Sequence, residues 1–165
     1  MDNLQIRRVK SKNDILQISK VERSSFKNYY PLPLLFSLHT TYPDGFRVVE
    51  DISINKIVGY IIATLEWDNG HIVSIATLSE YRNKGVGKLL LKNMENYLFK
   101  VCNVNYIILE VRFSNIIPRK FYYKNNYVDK RLVKNYYDNG EDAILMIKKN
   151  PYKKSNNNKI IVNMW

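Results

Sequence analysis

The stretch EYRNKGVGKLLLKNM, residues 80–94, decides how this chain is read. From Leu89 onward the apolar positions Leu89, Leu90, Met94, Tyr97 and Leu98 recur at helical spacing, so a helix is expected to begin at Gly85-Val86-Gly87. The first turn of a helix carries backbone N–H groups that have no acceptor within the helix, and the helix dipole makes that end positive. Glycines let a ligand approach those donors closely, and Arg82, Lys84 and Lys88 add positive charge. Such a turn suits a phosphate or pyrophosphate, although basic glycine turns also occur where no anion binds. It is not a P-loop, because the spacing G-x-x-x-x-G-K-[ST] is absent, and the third glycine of a dinucleotide fingerprint is missing.

Working outward toward the N-terminus, residues 71–78 read as a strand running straight into the glycine turn, preceded by a hairpin signal at Asp68-Asn69-Gly70. Residues 46–50 and 57–67 read as paired strands joined through 53–56, and residues 34–42 as a short helix after a turn at 26–33. Asn13 or Asp14 can cap a first helix carrying Ile15, Leu16, Ile18 and Val21, behind a first strand at 4–9. On the C-terminal side the long helix is expected to end near Val101. A strand at 106–112 follows, then a short helix at 115–124 with Pro118 in its first turn, and strands at about 127–136 and 142–148 joined through Tyr137-Asp138-Asn139-Gly140. About seven strands and four helices in this succession predict one α/β domain with a mixed, mostly antiparallel sheet.

Composition agrees with a single domain. The 165 residues are 45% hydrophobic and 13% aromatic, enough for a proper core. No apolar run reaches the ~18 residues that cross a bilayer, and the start MDNLQIRRVKSK has no apolar signal core, so a cytoplasmic protein without a membrane partner is expected. Cys102 alone cannot form an internal disulfide, and with only His39 and His71 beside it a zinc site is not expected. The formal charge of +11 favours polyanionic partners such as a phosphorylated cofactor, nucleic acid or the ribosome surface, while scattered lysines also serve simply to solvate a surface. Residues 150–159 are polar and asparagine-rich and read as a loose extension, with Ile160, Ile161, Val162 and Trp165 able to dock.

Arg82 to Lys88 spells R-x-x-G-x-G-K after a strand, and in this order of elements it resembles the GNAT superfamily of acetyl-CoA-dependent N-acetyltransferases. More narrowly, three segments resemble the archaeal RimI/Ard type of protein N-terminal acetyltransferase. They are Gly70-His-Ile-Val-Ser-Ile-Ala76, Leu109-Glu-Val-Arg112 with Ser114-Asn115, and Tyr136-Tyr-Asp-Asn-Gly-Glu-Asp-Ala143. The likeness covers residues 1–149 and leaves 150–165 as a polar C-terminal extension. It implies a splayed parallel strand pair at the centre of the sheet. It also implies that the backbone of Asn83, Lys84, Gly85, Val86, Gly87 and Lys88 cradles the pyrophosphate of coenzyme A with Arg82 supporting the turn. A bulge in the preceding strand would leave Ile75, Ala76 and Thr77 to pair with the pantetheine arm like an added strand.

The same resemblance places Asn115 against the cofactor and Tyr122 beside its sulfur as general acid, although the neighbouring Tyr123 keeps that assignment open from the residues alone. It implies that His71 and Glu110 together hold a proton-accepting water, and that transfer is direct, within a ternary complex. An α-amine of pKa ~7.7–8.0 is substantially neutral at physiological pH whereas a lysine amine of ~10.4 is not, which favours protein N-termini as substrate. Tyr29, Tyr30, Tyr136 and Tyr137 are expected to wall the peptide entrance. Where many relatives carry a glutamate before Asn-Tyr, this chain has Lys27, so Glu22 or Glu50 would have to supply the acidic group. A monomer or weak homodimer that acts on protein N-termini at or near the ribosome, and binds no DNA, is the resulting expectation. The alternatives are a lysine or small-amine acetyltransferase of the same superfamily and an inactive basic module that binds RNA or the ribosome.

Overall fold

The computed structural model describes residues 3–153. Its seven strands are β1 (Leu4–Arg8), β2 (Phe46–Asp51), β3 (Lys56–Glu66), β4 (Asn69–Thr77), β5 (Tyr106–Arg112), β6 (Val128–Val133) and β7 (Ala143–Lys149). They form one sheet in the order β1-β2-β3-β4-β5-β7-β6. Every neighbouring pair is antiparallel except β4 and β5, the parallel pair at the centre. The helices are α1 (Lys12–Ser25), α2 (Leu32–Thr41), α3 (Val86–Asn96) and α4 (Ile116–Lys124).

Each face of the sheet has its own core. Ile15, Ile18 and Val21 of α1 and Leu35 of α2 pack on Phe46, Val48, Tyr60 and Ile62. On the opposite face Val86, Leu90, Leu91 and Met94 of α3 and Tyr122 of α4 pack on Val58, Ile61, Ile72, Ile107 and Leu109. Burial on both faces is why β3 reads as the unbroken run Ile57-Val-Gly-Tyr-Ile-Ile-Ala63 rather than as an alternating one.

Several boundaries differ from the sequence reading for physical reasons. Ser11, not Asn13 or Asp14, caps α1 by accepting the Asp14 N–H, because the Asp14 carboxylate is already bound in two-pronged fashion by the Arg7 guanidinium. The β3–β4 turn is the pair Trp67-Asp68, both left-handed at φ 49° and 61°, and Asn69 and Gly70 belong to the strand. Gly70 is there for packing, since a Cβ on it would lie 2.7 Å from Leu98. After α3 the helix continues as a wider π-type turn over Tyr97–Val101. Asn150 is not loose: it is buried and its amide donates to the carbonyl of Val104 at 2.8 Å, which ties the end of β7 to the loop before β5. Residues 154–165, including Ile160, Ile161, Val162 and Trp165, lie outside the described residues.

One irregularity positions everything that follows. Ile62 faces Ser74 while Ala63 faces Ile72, so Val73 is an extra residue that bulges β4. Past the bulge β4 turns away from β5, and the two strands pair only at Gly70 with Ile107 and at His71 with Ile108. The result is a wedge between the parallel strands, with the N-terminus of α3 at its wide end.

Candidate active site

A cleft of about 870 Å³ fills this wedge. Its cofactor end is the turn before α3. Asn83 and Gly85 both have positive φ, 58° and 82°, and Gly85 is the N-cap of α3 with no side chain capping the exposed N–H groups. A Cβ built on Gly85 meets nothing within 4 Å, so the backbone borders open space. Arg82 fastens the turn to the end of β4 by donating from Nε to the Thr77 carbonyl at 3.1 Å. Ile75, Ala76 and Thr77 line the cleft on a stretch of β4 that has no partner on its β5 side, and Asn83, Val86, Gly87, Lys88 and Asn115 line it as well. These donors suit a pyrophosphate and an extended amide-bearing arm, two of the chemical parts of coenzyme A. Lys84 is the exception: its ammonium sits over the Tyr81 ring at 5.4 Å, and the residue is not part of the cleft wall.

The other end holds a cluster of acids around one histidine. His71 Nε2 lies 2.8 Å from Glu110 Oε2 and His71 Nδ1 lies 2.9 Å from Glu66 Oε1. Burial opposes charging this ring, but the hydrogen bonds and charges of Glu110 and Glu66 outweigh it and push the imidazole up to about 9. The histidine is therefore an imidazolium at neutral pH, with both nitrogens committed. Glu66 carried no sequence signal of its own. The two-residue turn brings it beside His71 by setting Glu66 opposite Asn69.

The tyrosines sort themselves. Tyr122 is buried in the cleft wall, and burial, with Tyr137 nearby, raises its hydroxyl well above the usual phenol range. Tyr123 instead projects outward and donates to Asp129. Tyr30, Tyr136 and Tyr137 line the cleft, whereas Tyr29 lies outside it beneath the Arg23 guanidinium at 5.1 Å. Burial, then the charges of Glu22 and Glu110, raise Tyr30; burial, then Glu110, raise Tyr136.

The loop between β6 and β7 is stapled to the site. Arg112 stacks on the Tyr137 ring at 3.8 Å and donates to Glu141 at 2.7 Å, and Glu141 also accepts the Ser114 hydroxyl. Asp142 accepts the Asn135 N–H and pairs with Lys134. Glu141 thus holds this loop against the end of β5, while the Asp142 carboxylate ties the loop's two sides together before β7 begins at Ala143.

Of the two carboxylates considered in place of the residue at Lys27, only Glu22 belongs to the cleft wall; Glu50 is bound to Arg7 at the β1–β2 edge. Among the described residues no group of three or more His, Cys, Asp or Glu side chains could hold a metal ion.

A bulged β4 splayed from β5, an uncapped glycine turn at the head of α3 and a buried tyrosine between them define an acyltransferase that takes its acyl group from coenzyme A. The chain belongs to the acetyltransferase (GNAT) family, whose model matches residues 13–127. It is similar to an uncharacterized N-acetyltransferase of Methanocaldococcus jannaschii, 45% identical over 97% of this chain and 99% of that one. An N-alpha-acetyltransferase of Sulfolobus acidocaldarius is 35% identical over 87% of this chain and 91% of its own length. Among solved structures, Ard1 from Thermoplasma volcanium superposes with a TM-score of 0.83 at 26% identity, covering 89% of this chain and 97% of that one.

Proposed function

We propose that this protein transfers the acetyl group of acetyl-CoA to the α-amine of protein N-termini. The observation that carries this reading is the state of the amine end. An imidazolium whose two nitrogens are already bonded cannot take a proton, and a carboxylate is a weak base. A site so equipped works on an amine that is already substantially neutral, as an α-amine of pKa ~7.7–8.0 is and a lysine amine of ~10.4 is not. The relatives named as N-alpha-acetyltransferases support the same substrate class.

Bound acetyl-CoA supplies the thioester that the amine attacks. The backbone of Asn83, Gly85, Val86, Gly87 and Lys88 would hold its phosphates, with Arg82 fixing the turn, and Ile75, Ala76, Thr77 and Asn115 would hold its arm. Glu110, oriented by His71, receives the amine proton directly or through a water. Tyr122 holds the proton that the departing sulfur takes up; because a thiol of pKa ~8.5 leaves readily, this help is useful rather than indispensable. Tyr30, Tyr136 and Tyr137 enclose the first residues of the peptide. Transfer is direct within a ternary complex, since Cys102 lies at the far end of α3 and its π-type turn. The reading places the reaction in the cytoplasm near ribosomes, by a monomer or weak homodimer.

The test is a panel of peptides differing at the first residue, each paired with an N-terminally blocked counterpart that retains a lysine. Acetylation confined to free N-termini is expected. Equal acetylation of the blocked peptides would overturn the assignment.

A further inference from the structure

Glu22 is buried in the cleft wall, 1% exposed, and no cation among the described residues pairs with it. One carboxylate oxygen accepts the Tyr30 N–H at 3.0 Å; the other accepts the Ser74 hydroxyl at 3.2 Å, and Ser74 in turn lies 2.8 Å from the Tyr60 hydroxyl. The residue therefore joins the loop between α1 and α2 to β4 next to its bulge. Burial raises this carboxyl above its usual range, against the pull of those two hydrogen bonds. Leaving a carboxylate buried without a counter-charge is costly, so the position invites a reason.

The neighbourhood supplies one. At the amine end Glu22 and Glu110 line the cleft, with Glu66 behind His71, the cation bonded to both Glu110 and Glu66. The Tyr30 hydroxyl lies in the field of both Glu22 and Glu110. Lys27 is exposed at the rim, and Arg112 is engaged with Glu141. Glu22 itself has neutral donors as its partners, the Tyr30 N–H and the Ser74 hydroxyl, and a substrate ammonium would complement its charge.

We propose that Glu22 is a positioning residue for the substrate amine: it fixes the Tyr30 loop to β4, and its charge draws the N-termini that arrive as ammonium toward Glu110, where an α-amine, with its pKa near neutrality, gives up its proton before it attacks. This rests on the α-amine reading above. It assigns to a carboxylate on α1 the task for which the loop itself carries no acid at Lys27.

The experiment compares the wild type, Glu22→Gln and Glu22→Ala with a good peptide substrate and with its analogue in which the α-amine is replaced by a hydroxyl, used as a competitive inhibitor. Glutamine keeps the volume and can make both hydrogen bonds while removing the charge. For Glu22→Gln the peptide KM should rise about three- to tenfold, with the KM for acetyl-CoA unchanged and the inhibition constant of the hydroxyl analogue unaffected. Its thermal midpoint at neutral pH should rise, because an uncompensated buried charge is gone, and that gain should fade as the pH drops toward the ordinary carboxyl range and be absent below it. Glu22→Ala should weaken peptide and analogue alike by loosening the Tyr30 loop. If Glu22→Gln binds the peptide as the wild type does while Glu22→Ala fails, the charge has no role and the inference falls. A wild-type enzyme that acetylates lysine or a polyamine instead would overturn the α-amine reading alone; the Glu22→Gln effect is then read on that amine against its hydroxyl analogue.

Discussion

Replacing His71 with glutamine removes a cation from between two carboxylates, and the consequence for stability has a definite pH dependence. The imidazole is displaced from 6.5 to about 9 in the folded protein, with its side chain 18% exposed, which corresponds to about 3 kcal/mol of stabilisation as an upper figure. Because the folded-state value is the higher one, this contribution is fully present below pH 6.5 and is lost as the pH rises through 9. His71→Gln lacks it at every pH. The gap in thermal midpoint between wild type and variant should therefore be widest near pH 6 and shrink by about 6–12 °C by pH 10. Circular dichroism melts of the two proteins across that range measure it directly. A gap that stays constant within 2 °C, or a kinetic ionisation near 6.5 that disappears in His71→Gln, would show that the ring is neutral at physiological pH and would refute the assignment of an imidazolium.

Further expectations concern the rest of the site. The His71→Ala, Glu110→Ala double variant should lose little more turnover than the worse single variant, because the two side chains act as a bonded unit; additive losses in free energy would assign them separate roles. Tyr122→Phe should lower kcat by about 10²-fold with both KM values near wild type, while Tyr123→Phe, whose hydroxyl bonds Asp129 outside the cleft, should leave turnover unaltered in the same steady-state assay. Gly85→Val combines a left-handed φ of 82° with a side chain projecting into the phosphate cradle, so the KM for acetyl-CoA should rise while that for peptide does not. Calorimetric titration with coenzyme A checks that case without turnover. Glu141→Ala releases Arg112 and Ser114 and should raise the peptide KM several-fold, with cofactor binding intact.

The parts of this protein legible in its sequence are those whose geometry is local. The glycine turn at Gly85 is decided by backbone freedom and by the helix that follows it. The strand at Tyr106–Arg112 falls where its apolar run places it, and the order of strands and helices follows from hydrophobic period and turn residues. The choice between Tyr122 and Tyr123 was not local, since adjacent positions on a short helix point to different sides and only the packing of α4 on the sheet says which side is the cleft. Nor was the amine end. Residues 71 and 110 are neighbours because β4 pairs with β5 at His71 and Ile108, and residues 22 and 74 because α1 packs on the face of β3 and β4. Residue type and spacing determined that this chain could fold as an α/β sheet with an anion-binding turn. The tertiary structure alone decided that Glu66 joins Glu110 at His71, and that Glu22 rather than Glu50 lines the cleft, because turn geometry and the packing of α1 on the sheet set distances that no run of consecutive residues encodes.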